Sequence, residues 1–442
     1  FGYDEVTPVD GSPTTNWGNR SITLVESLGT LWLMQLHEQF EEGVRFLDKH
    51  LLDELNVHSG LSSFFEINIR LLGGLLGAHS LSDGNDHHSA AILLGLAEKV
   101  GDRLLPAFKD HVLPCLLVDL ANGEVSKCVG SSEVEGLANV GTNTMEFRYL
   151  SHHTGNPKYA EAANRAMGAL MKSSTGGLVS NFISVSDPQA PVGQQVVRSV
   201  RQHYSLSGIG DSYYEYLLKT YLLSCARPED SIYVDQWRKA MTSFLSNGYI
   251  SDVDEDHVKI GTGSQEHLAC FTPGMLMLAS AAVRNLPEDE RATFRSVAEK
   301  MARTCADSYS HSPIGIGTES FKVEEGYTSS GSQDRWILRP EVIESIYYMH
   351  HFTGDEKWRD RAWKITQSIN EYAKQKYGFA TIKNIHSHHE VENKQESFFL
   401  AETLKYLYLI HTSKEEFDPT RFVLTTEAHP QRLKLGTFYS KV

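Results

Sequence analysis

The residues of this sequence with the clearest capacity for chemistry are acids that recur among aromatic and small apolar neighbours. They stand in Phe64-Phe65-Glu66, Thr144-Met145-Glu146-Phe147, Gly210-Asp211-Ser212-Tyr213-Tyr214-Glu215 and Gln265-Glu266-His267-Leu268. They recur in Leu338-Arg339-Pro340-Glu341-Val342-Ile343-Glu344 and in Glu396-Ser397-Phe398-Phe399-Leu400-Ala401-Glu402. A single glutamate at a helix start is ordinarily a partner for the helix dipole. Recurrence in apolar context carries a different meaning. Carboxylates brought to one place repel one another, hold their protons more tightly and attract a cation. A set of carboxylates and hydroxyls without thiols suits a hard ion such as Ca²⁺.

Other chemistry is poorly served. His386-Ser387-His388-His389-Glu390 lacks the spacing that puts metal ligands on one helical face and reads as a loop. Asp83-Gly84-Asn85-Asp86 starts like a Ca²⁺ loop but lacks the glycine at its sixth position and the closing glutamate, so it reads as a helix–helix turn. Gly261-Thr262-Gly263 and Gly315-Ile316-Gly317 are not continued by a dinucleotide-binding pattern, and His37-Glu38 has no second His four residues on. No nucleophile elbow or phosphate-binding loop is present. The pairs His152-His153 and His350-His351 fall near helix ends, where packing or dipole complementarity is the simpler role.

The elements that must position the acids are helices. Leu31, Met34, Phe40 and Val44 recur at helical spacing, as do Leu71, Leu72, Leu75 and Leu76, and Leu217, Leu218, Tyr221 and Leu222. Two stretches repeat: Tyr149-Leu-Ser-His-His-Thr-Gly-Asn-Pro-Lys-Tyr159 and Tyr348-Met-His-His-Phe-Thr-Gly-Asp-Glu-Lys-Trp358. Each reads as helix, Thr-Gly turn, helix. Weaker copies near 31–50, 66–105, 211–245, 267–305 and 396–410 bring the total to about seven. A helix pair cannot bury both faces alone, but pairs stacked in a ring share one core and form an α/α barrel. Equivalent positions then point at the axis. Candidate strands are short (Leu178–Val185, Gln195–Val200, Phe379–Ile382) and read as hairpins inserted into this all-α scaffold. Residues 1–442 are read as one domain, since no low-complexity linker interrupts them.

Composition limits the partners. The 442 residues carry 41 Lys and Arg against 56 Asp and Glu, a formal charge of −15. That argues against nucleic acid and anionic membrane surfaces. No stretch approaches the roughly 20 apolar residues needed to span a bilayer. The start at Phe1 rather than Met leads us to expect that a targeting segment or anchor has been removed. Five cysteines, none in a Cys-x-x-Cys pair, are too few for a disulfide scaffold and leave room for a disulfide in an oxidising compartment. One sequon, Asn19-Arg20-Ser21, fits a secretory protein but occurs easily by chance.

Taken together these segments resemble glycoside hydrolase family 47, the class I α1,2-mannosidases. The resemblance rests on Gly2-Tyr3-Asp4-Glu5 with Pro8, Phe65-Glu66 with Ile69-Arg70-Leu-Leu-Gly-Gly-Leu-Leu76, and Gly141-Thr142 with Glu146-Phe147. It continues through Asp211–Lys219, His267–Phe271, Leu338–Ser345, Glu396–Tyr408 and Thr426-Glu427-Ala428-His429-Pro430. It covers nearly the whole chain and implies an (α/α)7 barrel. The implied activity is Ca²⁺-dependent, inverting removal of terminal α1,2-linked mannose from high-mannose N-glycans. Thr426 would bind Ca²⁺ through its hydroxyl and carbonyl, with water held by Glu341, Glu344, Glu402 and Glu427 filling the other positions. Inversion needs an acid and a base separated by about 6.5–9.5 Å. Glu66, Asp211 and Glu341 match the family's catalytic acids. Glu341 would be the base, with Glu66 acting as acid through a water and Asp211 supporting or replacing it. Arg70, Glu146, His267, Glu319 and Arg339 would line the sugar site, with Phe398 under the ring.

The resemblance also pairs Cys270 with Cys305 and assigns no partner to the other three cysteines. It implies a monomer in the secretory lumen of the endoplasmic reticulum or Golgi, held by the missing N-terminal segment, or a secreted microbial enzyme. The chain departs from the family where Gly29 replaces an Asp, Asn139 a frequent Glu, and Thr318 a Pro. Ile209 stands where one-branch enzymes carry Arg and broader ones an apolar residue, so a broad trimming pattern is expected. The departures keep a second reading in view, a glycan-binding quality-control protein with weak or no hydrolysis. A smaller α/α barrel acting on another polysaccharide is a third, against which the Thr-Glu-Ala-His-Pro ending argues.

Overall fold

The computed structural model describes residues 2–58, 60–261, 263–329, 331–387, 390–413, 417–419 and 421–432. His388 and His389 of the histidine tract, and Thr262 of the Gly-x-Gly stretch, lie outside the described residues. The helices are α1 (Ile22–Leu33), α2 (His37–Val57), α3 (Phe64–Glu66), α4 (Gly73–Ser82), α5 (His87–Leu104), α6 (Leu137–Gly141), α7 (Thr144–Thr154) and α8 (Lys158–Lys172). They continue with α9 (Asp211–Leu223), α10 (Ser231–Ser246), α11 (Thr272–Ala282), α12 (Glu288–Ser310), α13 (Glu341–Thr353), α14 (Glu356–Ser368) and α15 (Leu404–His411).

Seven helices form the inner ring. α1 packs on α4, α4 on α7, α7 on α9, α9 on α11, α11 on α13 and α13 on α15. The π-helical turn Phe399–Thr403 that leads into α15 closes the ring against α1. The molecule is an (α/α)7 barrel, as the repeat pattern predicted. The two kinds of helix differ as their sequences require. All ten residues of α4 are buried, and α9 is buried from Ser212 to Leu222. The outer α2 buries only Phe40, Gly43, Val44, Leu47, Leu51 and Leu55, the stripe of an amphipathic helix covered on one side. The Thr-Gly turns behave alike. Gly155 (φ 72°) and Gly354 (φ 68°) end α7 and α13 in the left-handed conformation, which costs glycine no Cβ clash. Asp86 caps α5 by accepting from the Ser89 N–H at 3.1 Å, so the Asp83–Asp86 stretch is the helix–helix turn expected of it.

The strands sit where chains enter the ring. Leu61–Ser63 runs into α3, Glu135–Gly136 into α6, and Gln265–Glu266 into the turn holding His267. They are shorter than predicted. The regular strands begin at Phe182 rather than Leu178, at Val196 rather than Gln195, and at Thr381 rather than Phe379, with Leu178 and Phe379 in isolated bridges to Thr175 and Lys374. Asn181 explains the first difference: its side chain caps the Ser205 N–H and its carbonyl takes the Leu137 N–H, so the backbone turns there instead of pairing.

A last hairpin, Phe422–Leu424 with Pro430–Arg432, packs against α9 and α4. It runs so close along α4 that a Cβ on Gly77 would stand 2.9 Å from His429 Cβ and 3.2 Å from its Cα; a Cβ on Gly73 would meet the His429 ring at 3.0 Å. Further along α4, Ser80 Oγ accepts from the Arg432 N–H at 2.7 Å. The Gly-Gly-Leu-Leu-Gly run is therefore a seat for the hairpin. Replacing Gly77 by Ala should cost about 1–3 kcal/mol through overpacking. Gly95→Ala, on exposed α5 with nothing within 4 Å of the new Cβ, should gain up to about 1 kcal/mol from helix propensity. Urea denaturation of the two variants checks the contrast, and equal effects would remove the seat argument.

Candidate active site

The inner helices point their N-terminal ends at a cavity of about 280 Å³, at the small end for ligand clefts. Its wall includes Glu66, Arg70, Asp211, Arg339, Glu341, Glu344, Phe398, Glu402, Thr426 and Glu427. These ten expected site residues come from five separate stretches of chain. Glu146, His267 and Glu319 were expected to line it too, and they do not. All three stand behind it: His267 and Glu319 hold the wall residues Glu341 and Arg339, whereas Glu146 reaches the wall through Tyr216.

His267, fully buried, meets Glu341 Oε2 through Nδ1 at 2.8 Å and the Tyr309 hydroxyl through Nε2 at 2.8 Å. Trp336 can only donate, and it donates to the same hydroxyl at 3.1 Å. Tyr309 is thus free to donate to Nε2, leaving the Nδ1 proton facing Glu341. Glu319 accepts from Nε and Nη2 of Arg339 at 3.0 and 2.9 Å, which fixes a guanidinium 3.7 Å from Glu341 Oε1. Glu146 accepts from the Tyr216 hydroxyl at 2.5 Å and from Asn68 Nδ2 at 3.2 Å. Tyr216 in turn accepts from the backbone N–H of Thr426. Sequence pattern alone could not separate lining from backing residues, because Glu146 and Glu344 both sit in the first turn of inner helices.

Two helix starts place the central acids. Asp211 is the first residue of α9 and Glu341 of α13. Each follows a non-glycine residue with positive φ, Ile209 (80°) and Leu338 (69°). Such conformations are costly for a bulky side chain and gather at functional sites. Glu66 precedes the π-helical turn Ile67–Leu72 that carries Arg70, and Glu402 lies in another such turn, Phe399–Thr403; these turns are frequent where function overrides regular winding.

The acids have been driven apart in proton affinity. Burial raises Glu341, but the His267 hydrogen bond and the charge of Arg339 outweigh it and hold the carboxyl below its ordinary value. Burial pushes Asp211 up to about 7, with help from Glu215 and Glu341 and against the Ser212 N–H. Burial also lifts Glu146 to about 7 and Glu344 to about 8. Glu402 and Glu427 are raised by burial and then by neighbouring carboxylates. Few cations answer them. Arg70 meets Glu66 at 2.8 Å, Glu427 at 3.1 Å and Glu26 at 3.3 Å. Lys219 pairs with Glu215 and stands 3.7 Å from Glu344. Glu215, one of the recurring acids but given no role in the site, also lines the cavity; its i, i+4 spacing from Asp211 puts both on one helical face.

The donor set fits a hard cation. Every candidate ligand is oxygen, and the excess of buried carboxylate charge calls for a positive ion. Among the described residues the axis acids do not converge closely enough to ligate one ion directly. That suits an ion held by Thr426 and water, with the acids one shell out.

The departures also have structural consequences. A Cβ on Gly29 would stand 3.6 Å from Lys405 Nζ. Without an acid there, Lys405 donates to the Ala428 carbonyl at 2.6 Å, and burial brings it down to about 7. Asn139 donates to Glu135 at 2.7 Å, Thr318 to the Ser320 carbonyl at 3.0 Å, and Ile209 stands exposed at the cavity rim. Cys270–Cys305 forms as the resemblance implied. Cys115 and Cys128 form a second disulfide that the sequence reading had left unassigned, and Cys225 belongs to neither.

Residues 1–433 match the description of Glycosyl hydrolase family 47. The chain is 34% identical to human mannosyl-oligosaccharide 1,2-alpha-mannosidase IC over 97% of its length and 67% of that protein's. It is 31% identical to mannosyl-oligosaccharide 1,2-alpha-mannosidase MNS1 of Arabidopsis thaliana, over 98% and 75%. The chain thus spans about two thirds to three quarters of these relatives. The solved alpha-1,2-mannosidase from Trichoderma reesei superposes with a TM-score of 0.84 at 25% identity, covering 98% of this chain and 95% of that one.

The charge balance makes stability depend on pH. Glu344 keeps its proton in the fold up to about 8 but loses it near 4.5 when unfolded. Its contribution is complete below that lower value and is lost as pH rises through 8. Glu344→Gln cannot titrate. In chelator-treated samples its stability relative to the wild-type chain should therefore climb steadily from pH 5 to pH 8. Thermal melts of both proteins across that range measure the difference, and a pH-independent offset would contradict the buried-acid picture.

Proposed function

Because the chain belongs to glycosyl hydrolase family 47 and is a glycoside hydrolase, we propose that it removes terminal α1,2-linked mannose from high-mannose N-glycans with inversion. The observation that carries this reading is the pairing, in one cavity, of an acid held below its ordinary pKa with an acid held near 7. Inverting hydrolysis needs such a split: an ionised base for the attacking water and a protonated acid for the leaving oxygen.

Glu341 is the base. His267 and Arg339 keep it ionised and fix its orientation, so it takes a proton from water as the water oxygen bonds to C1. Asp211 carries its proton near neutrality and gives it to the glycosidic oxygen as the C1–O bond breaks. This assignment replaces the expectation that Glu66 acts as the acid. Glu66 accepts from Arg70, which gives it a positioning role at the cavity wall. Phe398 offers an apolar face to the C–H side of a pyranose, its ring held between Arg70 (5.6 Å) and Arg339 (6.0 Å). Ca²⁺, held by Thr426 with water kept by Glu344, Glu402 and Glu427, would supply an electrostatic grip on the 2- and 3-hydroxyls of the terminal sugar. Exposed Ile209 leaves the rim apolar and supports trimming of more than one branch. The two disulfides support a site of action in an oxidising secretory lumen.

The first test is hydrolysis of α1,2-mannobiose with and without a Ca²⁺ chelator, with the product anomer followed by NMR. Release of β-mannose that stops on chelation is expected. No release in either condition would turn the reading to glycan binding without hydrolysis. Glu341→Gln should lower turnover by at least about 10³-fold while retaining glycan binding. Asp211→Asn should lose far more activity on mannobiose than on α-mannosyl fluoride, whose leaving group needs no proton. If Glu66→Gln shows that selectivity instead, the acid has been misassigned. A glycan digest that stops cleanly after one mannose would overturn the broad-trimming reading.

A further inference from the structure

The C-terminal ends of the inner helices lie a helix length from the acids, and at two of them stands a cluster the hydrolytic site does not use. His79 is on the last turn of α4, Asp83 caps that helix, and His153 is on the last turn of α7. One ligand atom from each lies within 4.8 Å of the other two. We propose that His79, Asp83 and His153 form a second metal site, for a borderline divalent cation such as Zn²⁺.

Three features support this. The first is the ligand set: two imidazoles and one carboxylate prefer Zn²⁺ and its neighbours, whereas Ca²⁺ takes oxygen only. The second is the field. Two helix C-termini, each with a partial negative charge, converge there and favour a cation. The third is the support around the ligands. His79 is buried, and its Nδ1 faces the Tyr149 hydroxyl at 3.3 Å. His153 lies against the same tyrosine, ring centroids 4.2 Å apart. A hydroxyl on one imidazole nitrogen orients the other toward a metal, as outer partners of histidine ligands commonly do. The Asp83 N–H donates to the His79 carbonyl at 2.8 Å, which fixes the i, i+4 pair on one helix end. With zinc–ligand bonds of about 2.0–2.2 Å, bound ligands need to close in by roughly an ångström from that spread. Asp83 and His153 are both half-buried. Three protein ligands leave a position for water.

The placement gives the ion a purpose. It would tie α4 to α7 beside Ser80, the residue that anchors Arg432 and hence the hairpin carrying Thr426. A borderline ion at one end would then brace the strand that brings the hard-ion ligand to the other.

The test is titration of the Ca²⁺-saturated chain with ZnCl₂, and separately CoCl₂, followed by calorimetry and thermal melts. One equivalent of Zn²⁺ and a melting point raised by several degrees are expected, with an X-ray absorption spectrum that reports two imidazoles. His153→Ala and Asp83→Asn should each weaken binding at least tenfold and lose the rise in melting point, while Ca²⁺-dependent hydrolysis of mannobiose shows that they fold. Uptake unchanged in both variants would place the ion on other histidines and overturn the proposal. So would no uptake at about 100 µM Zn²⁺, or an absorption spectrum without imidazole.

Discussion

The structure depends on one electrostatic constraint: more carboxylates are buried along the barrel axis than the protein's own cations can neutralise. Glu26, Glu344, Glu402 and Glu427 lie within reach of Arg70, Lys219 and Lys405, and these must serve several acids each. The unmet charge divides the acids into those that keep protons and those stabilised as anions. It also leaves an excess of buried negative charge beside the Thr426 hairpin. A dry core of hydrophobic residues at the same positions would be the more stable arrangement in isolation. The barrel tolerates the acids because two layers of helix surround them.

Much of this could be read in the sequence. The seven-fold ring follows from repeats whose turns need Gly155 and Gly354, and the acids follow from their recurrence at inner helix starts. What sequence could not reveal was depth. Glu146 sits in the first turn of α7 as Glu344 does in that of α13, yet Glu146, like His267 and Glu319, stands behind the wall. Helical periodicity gives direction around a helix but not distance from the axis. The pairing of Cys115 with Cys128 was hidden for a related reason: a short three-stranded sheet brings them together, and its strands carry little pattern. Gly29 was visible as a departure, but only the approach of Lys405 shows what it leaves unanswered.

The site is also held by local backbone that departs from regular winding. Positive φ at Ile209 and Leu338 turns the chain just before Asp211 and Glu341, and π-helical turns carry Arg70 and Glu402. These features cost stability where they occur and are held by the packed ring around them. Regular helices alone would bring each acid to the axis at an angle fixed by 3.6 residues per turn; the irregular turns adjust each one separately.

The contact between Arg70 and Glu427 spans 357 residues of chain. Most of the helical ring can form from neighbours in sequence as the chain emerges, but the hairpin that completes the axis is made from residues 422–432. The acids of the earlier inner helices are therefore made well before the segment that completes the axis. Thr426 and Glu427 reach the axis only with that hairpin seated along the glycines of α4, so the lining of the cavity is completed by the last-made stretch of the ring.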